Sequence, residues 1–128
     1  MMNRNILYGD DNEQKGLKLA QELRSRNYQV DLVSSPKEIA SRAMAGNYGA
    51  VVSDLDYSPE GAEGYEVIRQ IRDVPSLKVL FTGRSGFENA VEGLEGGADY
   101  VVLHKNFGEL VEILEKELKG GDENGKNS

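Results

Sequence analysis

The residues with chemistry to offer are mostly acidic and stand where apolar runs stop. Asp10 and Asp11 follow Ile6-Leu7-Tyr8-Gly9, and Asp54 closes Ala50-Val51-Val52-Ser53, with Asp56 two positions on. Thr82 follows Leu77-Lys78-Val79-Leu80-Phe81, and His104-Lys105 follow Tyr100-Val101-Val102-Leu103. Short β-branched and apolar runs bounded by Gly, Asn, Ser and Pro predict strands, the third of them buried on both faces. In an open parallel sheet the crevice outside the carboxyl ends of the strands is where ligands collect. Two carboxylates about 4 Å apart repel by roughly 4 kcal/mol at an effective dielectric near 20. Asp10, Asp11 and Asp54 brought together therefore need a cation or a raised pKa. A hard divalent ion, Mg²⁺ above all, offers this through oxygen ligands and keeps waters that exchange for a phosphate. An ion so held bridges a phosphoryl oxygen during in-line transfer. Asp54 is then the expected nucleophile, giving an acyl phosphate, with Lys105 as a further positive charge and Thr82 as a hydroxyl donor.

The elements that must position these groups alternate along the chain. The strand Asn5–Gly9 is followed by a helical pattern from Glu13 to Arg26, with Leu17, Ala20 and Leu23 on its apolar side and Asn27 as its end. Tyr28 to Val33 reads as a second strand at an edge. Ser35-Pro36-Lys37-Glu38 opens a helix with a capping serine, a proline at the first helical position and a glutamate completing a capping box. Ile39, Ala40, Ala43 and Met44 form its inner face, and Gly46-Asn47 closes it. After the strand that ends at Asp54, a loop runs from Leu55 to Glu63 and a helix from Gly64 to Asp73, with Val67, Ile68 and Ile71 inward. The strand Leu77–Phe81, a helix marked by Phe87, Ala90, Val91 and Leu94, and the strand Tyr100–Leu103 follow. Tyr8, Tyr65 and Phe87 are read as core or groove residues. Phe107, Leu110, Val111, Leu114 and Leu118 give the last helix its stripe, and Gly120 to Ser128 is expected to be a disordered polar tail. Five strands alternating with five helices imply one parallel sheet between two helical layers, with every strand's carboxyl end on one edge.

Composition narrows the function classes. The chain has 128 residues, the size of a single domain with its own core. No cysteine is present, which excludes disulfides and thiolate metal sites and makes the cytosol the easier compartment. No apolar run approaches a membrane span, so a soluble, cytoplasmic protein is expected. With 22 acidic against 15 basic side chains the formal charge is −7, which disfavours direct contact with nucleic acid or an anionic membrane and favours a cation or protein partners. The sequence contains no glycine-rich phosphate loop, Ser-His-Asp set or metal-spaced histidine cluster.

Taken together, Ile6-Leu7-Tyr8-Gly9-Asp10-Asp11-Asn12, Val51-Val52-Ser53-Asp54, Val79-Leu80-Phe81-Thr82-Gly83 and Gly97-Ala98-Asp99-Tyr100 resemble, in order and spacing, the receiver domain of two-component response regulators. The resemblance covers about Asn5 to Leu118, within a domain drawn at 1–119. It implies a flavodoxin-like three-layer (βα)5 sandwich with strand order 2-1-3-4-5. It also implies Mg²⁺-dependent phosphorylation of Asp54 by a histidine kinase, a phosphotransfer protein or a small phosphodonor, rather than turnover of a substrate. By the same likeness, Asp11 binds the metal directly, Asp10 does so directly or through water, and the Asp56 backbone carbonyl completes the set. Output is expected through the fourth helix, fifth strand and fifth helix, to a downstream protein or in a homodimer.

This chain departs from the family pattern in places. Pro59 lies five rather than four residues after Asp54, the loop from Leu55 to Gly64 is long, and Asn106 instead of proline follows Lys105. The spacing from Ala98 to Lys105 is one residue long, which opens the lysine position to His104 as well; Lys105 is the favoured occupant because Phe107 then stays in place. The position of the switch aromatic holds Val102, with Tyr100 as a substitute. Asp56 and Arg84, two residues after Asp54 and Thr82, are expected to pair across the crevice entrance and to slow hydrolysis of the phosphoaspartate. Two other readings stay open: a receiver-like scaffold that is never phosphorylated, and a haloacid-dehalogenase-type phosphatase, whose Asp-x-Asp motif Asp54-Leu55-Asp56 also resembles.

Overall fold

The structure is a computed structural model that describes the backbone of residues 3–124 and the side chains of residues 3–118. Strands β1 (Asn5–Gly9), β2 (Gln29–Val33), β3 (Ala50–Asp54), β4 (Leu77–Thr82) and β5 (Tyr100–Leu103) alternate with helices α1 (Glu13–Arg24), α2 (Pro36–Ala45), α3 (Glu63–Gln70), α4 (Phe87–Gly96) and α5 (Phe107–Asn124). All four strand pairings are parallel, in the order β2-β1-β3-β4-β5 that the flavodoxin-like expectation gave. Gly9 stands opposite Ser53, and Asp54 opposite Phe81, so the ends of β1, β3 and β4 reach the same edge.

The two-residue alternation of the strands divides the core. Ile6, Tyr8, Val52, Phe81 and Val102 point to a layer with Ala20 and Leu23 of α1 and Leu110 and Leu114 of α5. Leu7, Val51 and Leu80 point the other way, to Ile39 and Ala43 of α2 and Val67 and Ile68 of α3. Asp10 and Asp54 extend the first series, so both carboxylates leave the sheet on the α1 and α5 side.

Local signals account for most element ends. The Asn12 side chain accepts the Lys15 N–H at 3.0 Å and caps α1. Asn27, at φ 72°, turns the chain beyond α1. Ser35 caps α2 by accepting the Glu38 N–H at 3.1 Å, while the Glu38 carboxylate reaches back to the N–H of Ser34, not of Ser35.

Four apolar side chains expected inside are exposed: Leu17, Met44, Leu94 and, at 83 %, Phe87. For Leu17, Phe87 and Leu94 the reason is helix rotation, while Met44 lies at the edge of an inner face whose Ile39, Ala40 and Ala43 are buried. In α1 the buried stripe is Gly16, Ala20 and Leu23, because Gly16 rests against Leu32. In α4 only Gly93 is buried, pressed to Leu80 and Val101, which turns Phe87 and Leu94 outward. α3 is shorter than expected, ending at Gln70, and α5 continues past Lys119 to Asn124. The rest of the expected tail, 125–128, lies outside the described residues.

Candidate functional site

Asp10, Asp11 and Asp54 each bring a carboxylate oxygen to within 4.8 Å of the other two. Asp10 and Asp54 are buried and Asp11 is exposed, so the group opens to solvent on one side. Asp10 is held from two directions: the Tyr8 hydroxyl donates to Oδ2 at 2.8 Å and the Asn12 N–H to Oδ1 at 2.9 Å. Burial pushes the Asp10 carboxyl above its ordinary range; those two donors oppose the shift, and the neighbouring Asp54 adds to it. Burial beside Asp10 in turn pushes the Tyr8 hydroxyl far up, fixing it as a donor. Asp54 Oδ1 accepts the Leu55 N–H at 2.8 Å. Three carboxylates so arranged, two of them buried, fit the oxygen-ligand chemistry of a hard divalent cation.

The edges of the site come from β4 and from the loop after β3. Thr82 is fully buried, and its Oγ1 accepts the Arg84 N–H at 3.0 Å, leaving its own O–H to donate. Arg84 grips Asp56 with two bonds, Nη2 to Oδ1 at 2.6 Å and Nε to Oδ2 at 3.0 Å, so the expected pair forms. Asp56 Oδ1 also accepts the Ala62 N–H at 2.7 Å, and its carboxylate takes no part in the three-aspartate group. Gly61 lies against this pair at φ 80°, where a Cβ would stand 2.6 Å from Asp56 Oδ1. Glu63 accepts the Tyr57 N–H at 2.9 Å and a short hydrogen bond from the Ser58 hydroxyl, which holds its carboxyl below the usual range. Gly64 brings α3 onto the end of β3; a Cβ there would lie 2.4 Å from the Asp54 carbonyl oxygen.

At the end of β5 the sequence left the lysine position to Lys105, the favoured occupant, or to His104. His104, not Lys105, faces Asp54, with Nε2 3.4 Å from Oδ1. Lys105 is exposed and makes no ion pair among the described residues. The end of the strand explains it. Val102 points to the α1 and α5 layer; β5 ends at Leu103, and in the single 3-10 turn His104–Asn106 that follows, the first residue stays on that side while Lys105 is turned to solvent. Tyr100, the substitute aromatic, donates to Glu117 at 2.5 Å and ties β5 to α5.

Sequence reasoning missed Lys15, whose ammonium lies 3.1 Å from His104 Nδ1 and 3.7 Å from Asp10 Oδ2. Its place in the first turn of α1, directly after the Asp10-Asp11 pair, is a signal that could have found it. The Tyr8 hydroxyl and the buried Ser53–Tyr57 hydrogen bond at 2.8 Å were missed too, since a core aromatic does not announce its polar end.

The model of the response regulator receiver domain matches residues 6–116. The chain belongs to this family. It is 32 % identical over 99 residues to the transcriptional regulatory protein ResD of Bacillus subtilis, a match covering 76 % of this chain and 40 % of ResD. The chain thus spans about two fifths of that relative's length. Among solved structures it resembles the receiver domain of the Francisella response regulator 1452, with TM-score 0.82, 17 % identity and coverage of 93 % and 99 % of the two chains. It also resembles the response regulator TrrA of Thermotoga maritima, solved in complex with Mg²⁺ and BeF, with TM-score 0.78, 28 % identity and coverage of 90 % and 99 %. As a receiver of the two-component type, this chain has a flavodoxin-like fold, and among the described residues no helix is long and apolar enough to cross a membrane.

Proposed function

We propose that this receiver accepts a phosphoryl group on Asp54, from a histidine kinase, a phosphotransfer protein or a small acyl phosphate, in a reaction that requires Mg²⁺. The observation that carries the reading is the convergence of the Asp10, Asp11 and Asp54 carboxylates, two of them buried, at one sheet edge. A relative with 28 % identity was solved with Mg²⁺ and BeF, which supports a divalent ion here. Asp10, Asp11 and Asp54 would hold the ion with the Asp56 backbone carbonyl, and when bound it neutralises phosphoryl charge.

The chain's own residues do the rest. An Asp54 carboxylate oxygen attacks phosphorus, and the new O–P bond forms as the P–N bond of a phosphohistidine or the P–O bond of an acyl phosphate breaks. The bonding pair leaves with the donor; a departing imidazole takes a proton from water, and a departing acetate needs none. The Thr82 hydroxyl donates to a phosphoryl oxygen, and the Leu55 N–H keeps the carboxylate oriented. One site modified once is not turnover, so the protein acts as a phosphoacceptor and not as an enzyme with a separate substrate. Output runs through α4, β5 and α5, where Phe87 and Leu94 are exposed, to a downstream protein or a second copy in the cytoplasm. Incubation with acetyl phosphate and Mg²⁺, read by intact mass, tests this: the wild type gains one phosphoryl group and Asp54→Asn gains none. No gain by the wild type would leave the scaffold reading in its place.

A further inference from the structure

Resting on that reading of Asp54, we propose that Lys15 and His104 act as one unit in place of a single ammonium at the end of β5. His104 Nε2–H faces the phosphoryl group on Asp54 and is a catalytic residue. Lys15 carries the positive charge and is a positioning residue that acts through the His104 ring.

The hydrogen-bond partners assign the ring. His104 Nε2 lies 3.0 Å from the Phe81 carbonyl oxygen, which only accepts, so Nε2 carries a hydrogen. Nδ1 lies 3.1 Å from the Lys15 ammonium, which only donates, so Nδ1 is the acceptor. The result is a ring whose Nε2–H meets the Phe81 carbonyl with Asp54 Oδ1 beside it at 3.4 Å, and whose Nδ1 has an ammonium behind it. Phe81 meets the ring edge-on at 4.8 Å between centroids and fixes its plane. The Lys15 ammonium also lies 3.7 Å from Asp10 Oδ2, so one cation answers both buried carboxylates, one directly and one through the ring. Strand and helix geometry bring the two together: His104 leaves β5 on the face that α1 covers, and Lys15 stands on the first turn of α1. Lys105 is a solvated lysine with no share in the site.

Two measurements test the unit. In the first, rates of Asp54 phosphorylation by acetyl phosphate with Mg²⁺ are compared across variants. Lys15→Met and His104→Gln each slow the reaction roughly tenfold or more, as expected for loss of a charge-assisted contact at the reacting group, and their effects do not add, because each breaks the same unit. Lys105→Ala leaves the rate within about twofold. His104→Lys placed in Lys15→Met restores it, since one long ammonium then reaches Asp54 without a relay. A loss caused by Lys105→Ala, or additive losses with no rescue, would overturn the proposal. In the second, long-range proton–nitrogen correlation spectra of unphosphorylated protein report the His104 ring. The expected result is the Nε2–H tautomer, with an Nδ1 shift that moves in Lys15→Met; the Nδ1–H tautomer, or an Nδ1 shift indifferent to Lys15, overturns the proposal. This second measurement holds whether or not Asp54 accepts phosphate, which separates a failure of the unit from a failure of the phosphoacceptor reading.

Discussion

Asp10 is the member of the acidic group whose ionisation its surroundings oppose. Its carboxyl is buried, and burial raises its pKa with Asp54 adding to the effect. A carboxyl with a raised folded pKa stabilises the fold at low pH and loses that contribution as pH rises through the raised value. The ionised form is therefore costly in the fold, and the Lys15 ammonium at 3.7 Å offsets only part of that cost. Asp10→Asn keeps the oxygen that accepts from Asn12 or Tyr8 and removes the charge. It is expected to stabilise the metal-free protein by about 1 kcal/mol and to abolish the extra stability given by Mg²⁺. Urea unfolding with and without Mg²⁺ checks both halves; a variant that is weaker without Mg²⁺ and still responds to it would contradict the account. The meeting of Asp10, Asp11 and Asp54 at one edge was legible in the sequence because Asp10 and Asp54 end apolar runs and Asp11 follows directly. The position facing Asp54 from β5 was not, since choosing between His104 and Lys105 requires knowing where β5 gives way to a turn and which parity the last strand residue has.

At the scale of the element, the loop between β3 and α3 is a tethered strap. Asp56 is bound to Arg84 and to the Ala62 N–H, and Glu63 to Ser58 and Tyr57. The Asp56–Arg84 pair is partly solvated, with side chains 35 % and 43 % exposed, so water screens it and its net contribution is small. Arg84→Ala is expected to shorten the phosphoaspartate half-life by no more than about fivefold; phosphoryl loss followed by mass spectrometry measures it, and an unchanged half-life removes the pair from that role. Glu63 gives a pH dependence of opposite sign to Asp10. Its carboxyl is held low by the Ser58 hydroxyl, so the tether is present above the ordinary carboxylate range and is lost as pH falls through the lowered value. Hydrogen exchange at the Tyr57 amide, corrected for intrinsic rate, is expected to quicken at acid pH in the wild type and to be quick at all pH values in Glu63→Ala. Element types and order could be read from periodicity, but helix rotation could not. Gly16 and Gly93 take the positions nearest the sheet because backbone approaches closest where no side chain intervenes, and pattern rules that count only large apolar residues then put Leu17, Phe87 and Leu94 on the wrong side.

For the whole molecule, the site joins segments far apart in the chain: Asp10 and Asp11 after β1, Asp54 at the end of β3, and His104 after β5. A cation bound only by the folded arrangement must stabilise all of it. At ten times its dissociation constant, Mg²⁺ is expected to add about 1.4 kcal/mol and raise Tm by a few degrees; a Tm that ignores Mg²⁺ would mean that the carboxylates do not act together. The parallel sheet was legible because strands alternating with helices and right-handed crossovers leave few topologies, and such a sheet puts every candidate group on one edge; its order came from the resemblance to receiver domains. The most direct test of the central claim is to locate the phosphoryl group chemically. After acetyl phosphate and Mg²⁺, borohydride reduction converts an aspartyl phosphate to homoserine, which peptide mass spectrometry places in the sequence. Homoserine at position 54, and only with Mg²⁺ present, is the expected result; homoserine elsewhere, or none, would contradict it.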